Sequence, residues 1–191
     1  MPNGYSQERG SKKAYAFLLR FLHGDKMTYW LGDASNTYTD IAGVQRFRRH
    51  MVFLKPDTLV VYDEVDSDNK GLTWDYRLNG HHQVSEVDTK LTFTNIGDQG
   101  RKLIRIDNGK AVAMANLFTL SQVGTDANVI TTPGKDDHWS SVTTTTDKSK
   151  AVRFLNVIKV IPTDSDDTAV TGELDFSVNG QSLRVIDSHF G

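Results

Sequence analysis

Arg46, Arg48 and His50 recur at every second position of RFRRH, inside a run from Val44 to Leu54 that alternates like a strand. On an extended chain this spacing puts the three on one face with Val44 and Val52, and Phe47, Arg49, Met51 and Phe53 on the other. A row of guanidiniums suits an anion, because arginine's planar fork grips carboxylate and sulfate-like groups through paired N–H donors. An acidic polysaccharide would present such groups, while a solvated or interdomain face accounts for the same stripe. Arg49 is the odd member of the apolar face. The run returning from Thr58 to Val65 has its own odd member, Asp63, on the face of Leu59, Val61 and Val65. If Lys55 to Asp57 form a three-residue loop, Leu54 stands opposite Thr58 and Arg49 opposite Asp63, and the two form an ion pair. A four-residue turn would shift the register and separate them.

The elements that must position these residues are strands. Apolar residues recur after about residue 26 in short alternating runs separated by Gly, Asn, Asp and Pro. Candidate strands are 26–32, 44–54, 58–65, 71–78, 90–95, 102–107, 111–119, 127–131, 150–161, 168–176 and 182–190. So many strands without a long helical pattern imply an all-β fold, a large antiparallel β-sandwich. Lys55-Pro56-Asp57, Asn108-Gly109 and Asn179-Gly180 carry the residue types that tight reversals need. Ser11 to His23 fits a short N-terminal helix capped by Ser11, and also a strand that turns at Gly24-Asp25 into the next one, the reading preferred from Leu18 onward. The polar, threonine-rich stretch from Gly124 to Ser149 is expected to make long excursions from the sandwich. Residues 1–25 thus read as an extension or junction, and 26–191 as the sandwich domain.

Composition narrows the function. The chain has 191 residues, a formal charge of −2 and no cysteine. It is long enough for a real core, it lacks the global basicity of a nucleic-acid binder, and it excludes disulfides and Cys-based zinc or nucleophile chemistry. Its longest apolar run, Ala14 to Leu19, is too short to span a bilayer. No secretory signal is visible at the start, so a signal for export would lie outside this chain. Neither nucleic acid nor membrane is an expected partner.

The segment from Tyr29 to Ser67 resembles the heparinase II/III-like family of polysaccharide lyases. The shared elements are Gly32-Asp33-Ala34, Tyr38, the arginine-rich strand Arg46 to His50, the turn Lys55-Pro56-Asp57, and the apolar strand ending Val60-Val61-Tyr62-Asp63. The resemblance implies an N-terminal α/α toroid carrying most catalytic residues, followed by a large antiparallel sandwich, in periplasmic or secreted enzymes. This sequence matches only the sandwich. Lyase action on a uronic acid needs carboxylate neutralisation, a base for the C5 proton and an acid for the departing oxygen. With the toroid as a missing or separate partner, the chain alone is not expected to be catalytic. No cofactor is expected beyond the structural zinc that the resemblance raises. Asp33 matches its carboxylate ligand. Asn79 stands where the family has a later histidine, with His81 and His82 just beyond, and the upstream His-Asn element is absent.

Two further groups have ordinary readings beside the functional ones. In Asp136-Asp137-His138-Trp139, Trp139 offers a plate for stacking on a sugar ring, or covers an edge of the core. Asp164, Asp166 and Asp167 lack the glycine and terminal glutamate of a calcium loop and read as a solvated turn. Three functions stay open: part of a lyase, a free-standing carbohydrate-binding module using Arg46, Arg48, His50 and Trp139, or a structural sandwich that supports partners or forms a homodimer.

Overall fold

The turn at Lys55-Pro56-Asp57 sets the register of the central hairpin. The computed structural model describes residues 14–38, 43–69, 71–81, 92–95, 102–107, 111–119, 130–133, 139–146, 148–161, 174–178 and 181–185. In it Val44–Leu54 form strand β3 and Thr58–Ser67 form β4, with Leu54 opposite Thr58. Proline fixes its φ and has no N–H, so it suits a reversal better than a ladder. The branched and aromatic residues that flank the turn, Val52, Phe53, Val60, Val61 and Tyr62, suit a pleated surface with burial.

The other strands are β1 (Phe17–His23), β2 (Met27–Asp33), β5 (Asp75–His81), β6 (Thr92–Asn95), β7 (Lys102–Asp107), β8 (Val112–Thr119), β9 (Ile130–Pro133), β10 (Trp139–Thr145), β11 (Ala151–Ile161), β12 (Leu174–Val178) and β13 (Gln181–Val185). An eight-stranded sheet has the order β1-β2-β3-β4-β11-β8-β7-β6, a three-stranded sheet the order β5-β10-β9, and β12 pairs with β13. The pairings are antiparallel, with β11 inserted between β4 and β8. Among the described residues the helical content is a short 3-10 turn, Ser35–Thr37.

Directly opposed residues of antiparallel strands share a face, so the large sheet can be read across its width. Its inner face carries Phe47, Val65, Val152, Phe154, Ile104 and Ala115, and Trp74, Tyr76 and Leu78 pack onto them from β5 and the residue before it. This is the sandwich core. Trp74, 1% exposed, ties the layers together. Its backbone N–H donates to Thr146 Oγ1, its carbonyl accepts from the Thr146 N–H, and its indole N–H donates to the Ser149 carbonyl. The outer face is apolar toward the turn, with Val60, Leu155 and Val157 buried beside Val52, Leu54 and Tyr62. Toward the start of β3 it is charged.

The structure changes two expectations and decides between two readings of a third segment. Strict alternation sets Val44 beside Arg46, but a bulge between them turns Val44 into the inner core. A bulge adds one residue and reverses the facing of whatever precedes it. Of the two readings of the segment ending at His23 the preferred one, the strand, holds from Phe17 onward, because β2 offers a ladder partner, with Phe21 opposite Trp30 and the Gly24 N–H donating to the Met27 carbonyl. Ser11 lies outside the described residues. The supposed excursion from Gly124 to Ser149 contains β9 and β10, and β10 is the middle strand of the smaller sheet. Threonine's branched Cβ favours a pleated surface, yet SSVTTTT holds one apolar residue, so no alternation shows. Val178 pairs with Gln181 across Asn179-Gly180, which like Asn108-Gly109 and Asp164 to Asp167 lies outside the described residues.

Candidate functional site

The charged half of the outer face is anchored by Asp33 at the end of β2. Its Oδ1 accepts the Ser35 N–H at 3.0 Å and the Ser35 hydroxyl at 2.6 Å, which ties the strand end to the first residue of the 3-10 turn. Ser35 Oγ also accepts the Phe47 N–H at 2.9 Å, and the Ala34 N–H reaches the Phe47 carbonyl at 2.8 Å. These bonds clamp the loop onto β3. Asp33 Oδ2, opposite Arg48 in the ladder, receives Arg48 Nε at 2.9 Å. Burial alone would raise the Asp33 carboxyl, but the bonds from Ser35 and Arg48 outweigh it and hold the group below its ordinary value. The hydrogen bond to Asp33 raises Arg48 in turn.

Across β3, β4 and β11 the face continues as alternating charges. Arg46 stands opposite Asp66 and Arg48 opposite Glu64. Arg46 lies 3.4 Å from Asp66 and 4.0 Å from Glu64. Arg153 comes in from β11, holds Asp66 at 2.7 Å, and donates to the carbonyls of Val65 and Val152. Arg153 is mostly buried, whereas Arg46 and Arg48 are nearly half exposed. Their contacts engage one edge of each guanidinium, so the remaining N–H groups meet no acceptor among the described residues. The stripe is thus not a bare basic row: Asp33, Glu64 and Asp66 match Arg46, Arg48 and Arg153.

His50 sits below this network. Its Nδ1 is 3.0 Å from the Tyr29 hydroxyl, its ring is 5.6 Å from that of Tyr62, and its enclosed Nε2 is 3.9 Å from Glu64. No hydrogen-bond partner reaches Nε2 among the described residues. The imidazole is therefore a wall of the network rather than an exposed contact. Burial also pushes the hydroxyl of the neighbouring Tyr62 up, so that phenol stays neutral.

On the inner face Arg49 and Asp63 form a two-pronged pair, Nε to Oδ1 and a terminal nitrogen to Oδ2, each at 2.7 Å. The bond to Asp63 raises the Arg49 guanidinium, which also lies 5.9 Å from the centre of the Tyr76 ring. Burial pushes the Tyr76 hydroxyl up to about 12.

The other sequence candidates fall elsewhere. Trp139 begins β10 directly opposite His81 at the end of β5, which makes the two cross-strand neighbours. Their side chains, Asp136 to His138 and His82 lie outside the described residues. Asp33 opens on the outer face of the large sheet, while His81 belongs to the sheet layered on the inner face. Both Asp33 carboxylate oxygens already accept hydrogen bonds, from Ser35 and Arg48. Among the described residues no cluster of three His, Asp or Glu is arranged for a metal. Tyr29, Glu64, Asp66 and Arg153 were missed from the sequence. The three-residue loop count that opposes Arg49 to Asp63 also opposes Arg48 to Glu64 and Arg46 to Asp66, so that signal was present. Arg153 had none, because its place depends on β11 joining β4.

In fold, the chain is similar to heparan sulfate lyase. The solved HepC enzyme from Pedobacter heparinus matches 92% of this chain with a TM-score of 0.53 and 11% identity, and a mutant of it matches 91% with 0.53 and 10%. A heparinase III gene product with methylated lysines matches 90% with a TM-score of 0.50 and 14% identity. The chain spans only 27% to 29% of those chains. No family model and no curated protein matches the sequence. At such identity the likeness is one of architecture.

Proposed function

We propose that this chain is the β-sandwich portion of a heparinase II/III-like polysaccharide lyase acting on acidic, uronic-acid-containing polysaccharide. The observation that carries the reading is a lyase-like sandwich whose charged face presents Arg46 and Arg48 with guanidinium edges open to an anion. Each is held by a carboxylate, Asp66 or Asp33, and so pre-oriented without being covered. Pre-orientation lowers the entropy lost on binding. His50 serves this face indirectly by supporting the strand beneath it, and Trp139 is a second contact for a sugar ring.

The chain binds and does not cleave by itself. Arginines can neutralise a uronate carboxylate, but the elimination also needs a base at C5 and an acid at the leaving oxygen, which in this reading come from the remainder of the enzyme. As in the family it resembles, such a protein would be periplasmic or secreted.

The test is titration of the purified chain with heparan sulfate by calorimetry, beside an assay for unsaturated uronic-acid products. Measurable binding that weakens with salt, is lost in Arg46→Glu/Arg48→Glu and is accompanied by no cleavage is expected. Binding that survives double charge reversal removes the arginine face from the proposal. Cleavage by the chain alone would overturn the non-catalytic assignment.

A further inference from the structure

On the charged face three guanidiniums, Arg46, Arg48 and Arg153, meet three carboxylates, Asp33, Glu64 and Asp66. While His50 is neutral this network carries no net charge. The carboxylates are unequally held. Arg48 reaches Asp33 at 2.9 Å and Arg153 reaches Asp66 at 2.7 Å, but among the described residues no arginine comes closer to Glu64 than Arg46 at 4.0 Å. The Glu64 carboxylate accepts no hydrogen bond among those residues, and the ring of His50 lies beside it, with Nε2 3.9 Å from Oε2. The two side chains are 27% and 23% exposed, so solvent reaches the pair.

The imidazole can take a proton without rearrangement. Its Nδ1 stands 3.0 Å from the Tyr29 hydroxyl, which donates to a bare nitrogen and accepts from a protonated one. Its enclosed Nε2 has no hydrogen-bond partner among the described residues. Protonation therefore keeps the Tyr29 contact and sets a cation against the carboxylate that lacks one. Groups face the ring from every strand around it. β2 supplies Tyr29 and, directly opposite, Leu31, with Arg20 of β1 beyond Leu31 on the same row. β4 supplies Tyr62, directly opposite, and Glu64, and β11 places Leu155 and Arg153 beyond these two. Arg48 lies two residues away on β3 itself and is tied to Asp33. The arginines oppose a further positive charge, while Glu64, at 3.9 Å, favours it together with Asp33 and Asp66. Histidine is the side chain that ordinarily changes charge between about pH 5 and 8, whereas carboxylates and guanidiniums ordinarily change theirs outside that window.

We infer that His50 is a proton-operated switch of the anion-binding face. With the imidazole neutral the face is balanced and holds an acidic glycan only through the open edges of Arg46 and Arg48. With it protonated, Glu64 is matched from within, the face carries a net positive charge, and the same glycan is held more tightly. This rests on the proposed function above. One added charge several ångströms from a bound anion at a half-wet surface strengthens binding about threefold to tenfold. Linkage requires the reverse as well, so the bound anion draws a proton onto His50 and binding takes up protons from the buffer.

The experiment is calorimetric titration of the chain with heparan sulfate at fixed ionic strength between pH 8 and pH 5, in paired buffers of different ionisation enthalpy, on the wild type and His50→Asn. Asparagine keeps a polar atom for Tyr29 and cannot take a proton. The wild type is expected to gain about threefold to tenfold in affinity toward acid, with proton uptake. His50→Asn is expected to lack both the gain and the uptake, whatever its affinity at pH 8. Imidazole NMR of the free wild-type chain needs no variant, and should show His50 titrating across the range in which affinity changes. A wild type of constant affinity, a His50→Asn that keeps the gain, or a His50 signal that holds one charge state throughout overturns the switch and leaves the anion-binding face standing. Absence of binding by the wild type at every pH overturns both.

Discussion

Arg49 and Asp63 face each other across β3 and β4 and share two contacts of 2.7 Å, yet the arginine side chain is 45% exposed while Asp63 is 2% exposed. The pair is therefore asymmetric in what each partner loses when the other is removed. In Arg49→Ala the carboxylate stays enclosed with no counter-charge, which costs about 3 kcal/mol, the low end for a broken buried pair because solvent reaches one side of it. In Asp63→Ala the guanidinium can swing into water, and the loss is about 1–2 kcal/mol. Urea unfolding of both variants checks the order.

Ser35 links two elements through one hydroxyl, donating to Asp33 and accepting from the Phe47 N–H. Ser35→Ala leaves that amide without its acceptor and is expected to destabilise by about 1–3 kcal/mol. It also loosens Asp33, so Arg48 loses orientation and heparan sulfate affinity falls in the same variant. Ser35→Thr, which retains the hydroxyl, restores both readouts.

Asp33 gives the fold an acid limb. Its folded pKa is lowered, so the stability it contributes is fully present above the ordinary carboxylate value near about 4 and is lost as pH falls through the folded value below that. Asp33→Asn flattens this limb. Thermal melts of both proteins between neutral pH and strong acid test the point.

Tyr76 acts at the other end of the scale. Its folded pKa of about 12 exceeds that of an unfolded tyrosine, so its contribution is complete below about pH 10 and declines as pH rises toward 12. An ultraviolet titration should show a tyrosine ionising at about pH 12, and Tyr76→Phe should remove that step.

Single substitutions at the charged face separate grip from support. Arg46→Ala and Arg48→Ala each remove an open guanidinium edge, and each is expected to weaken glycan binding about tenfold while changing stability little, as exposed pairs usually do. Arg153→Met removes the group that fixes Asp66 and two carbonyls. It is expected to lower stability more than either exposed arginine, because the carbonyls of Val65 and Val152 lose the Arg153 donor and the Asp66 carboxylate loses the nearer of its two arginines.

The sequence by itself determined the β class and the central hairpin. It placed the reversal at Lys55-Pro56-Asp57 and left three or four residues for the loop; the three-residue loop of the structure gives the register that sets Arg49 by Asp63 and Arg48 by Glu64, because strand facing has a period of two. Tertiary structure decided what no local pattern records. The bulge at Gln45 turned Val44 inward, and the strand at Trp139–Thr145 formed from residues without apolar alternation because β5 and β9 supplied partners on both sides. Arg153 reached Asp66 because β11 lies beside β4, a neighbourhood created by folding between residues far apart in sequence. The charge seen as a basic stripe became a balanced network for the same reason: cross-strand partners come from segments whose adjacency depends on the order of strands in the sheet.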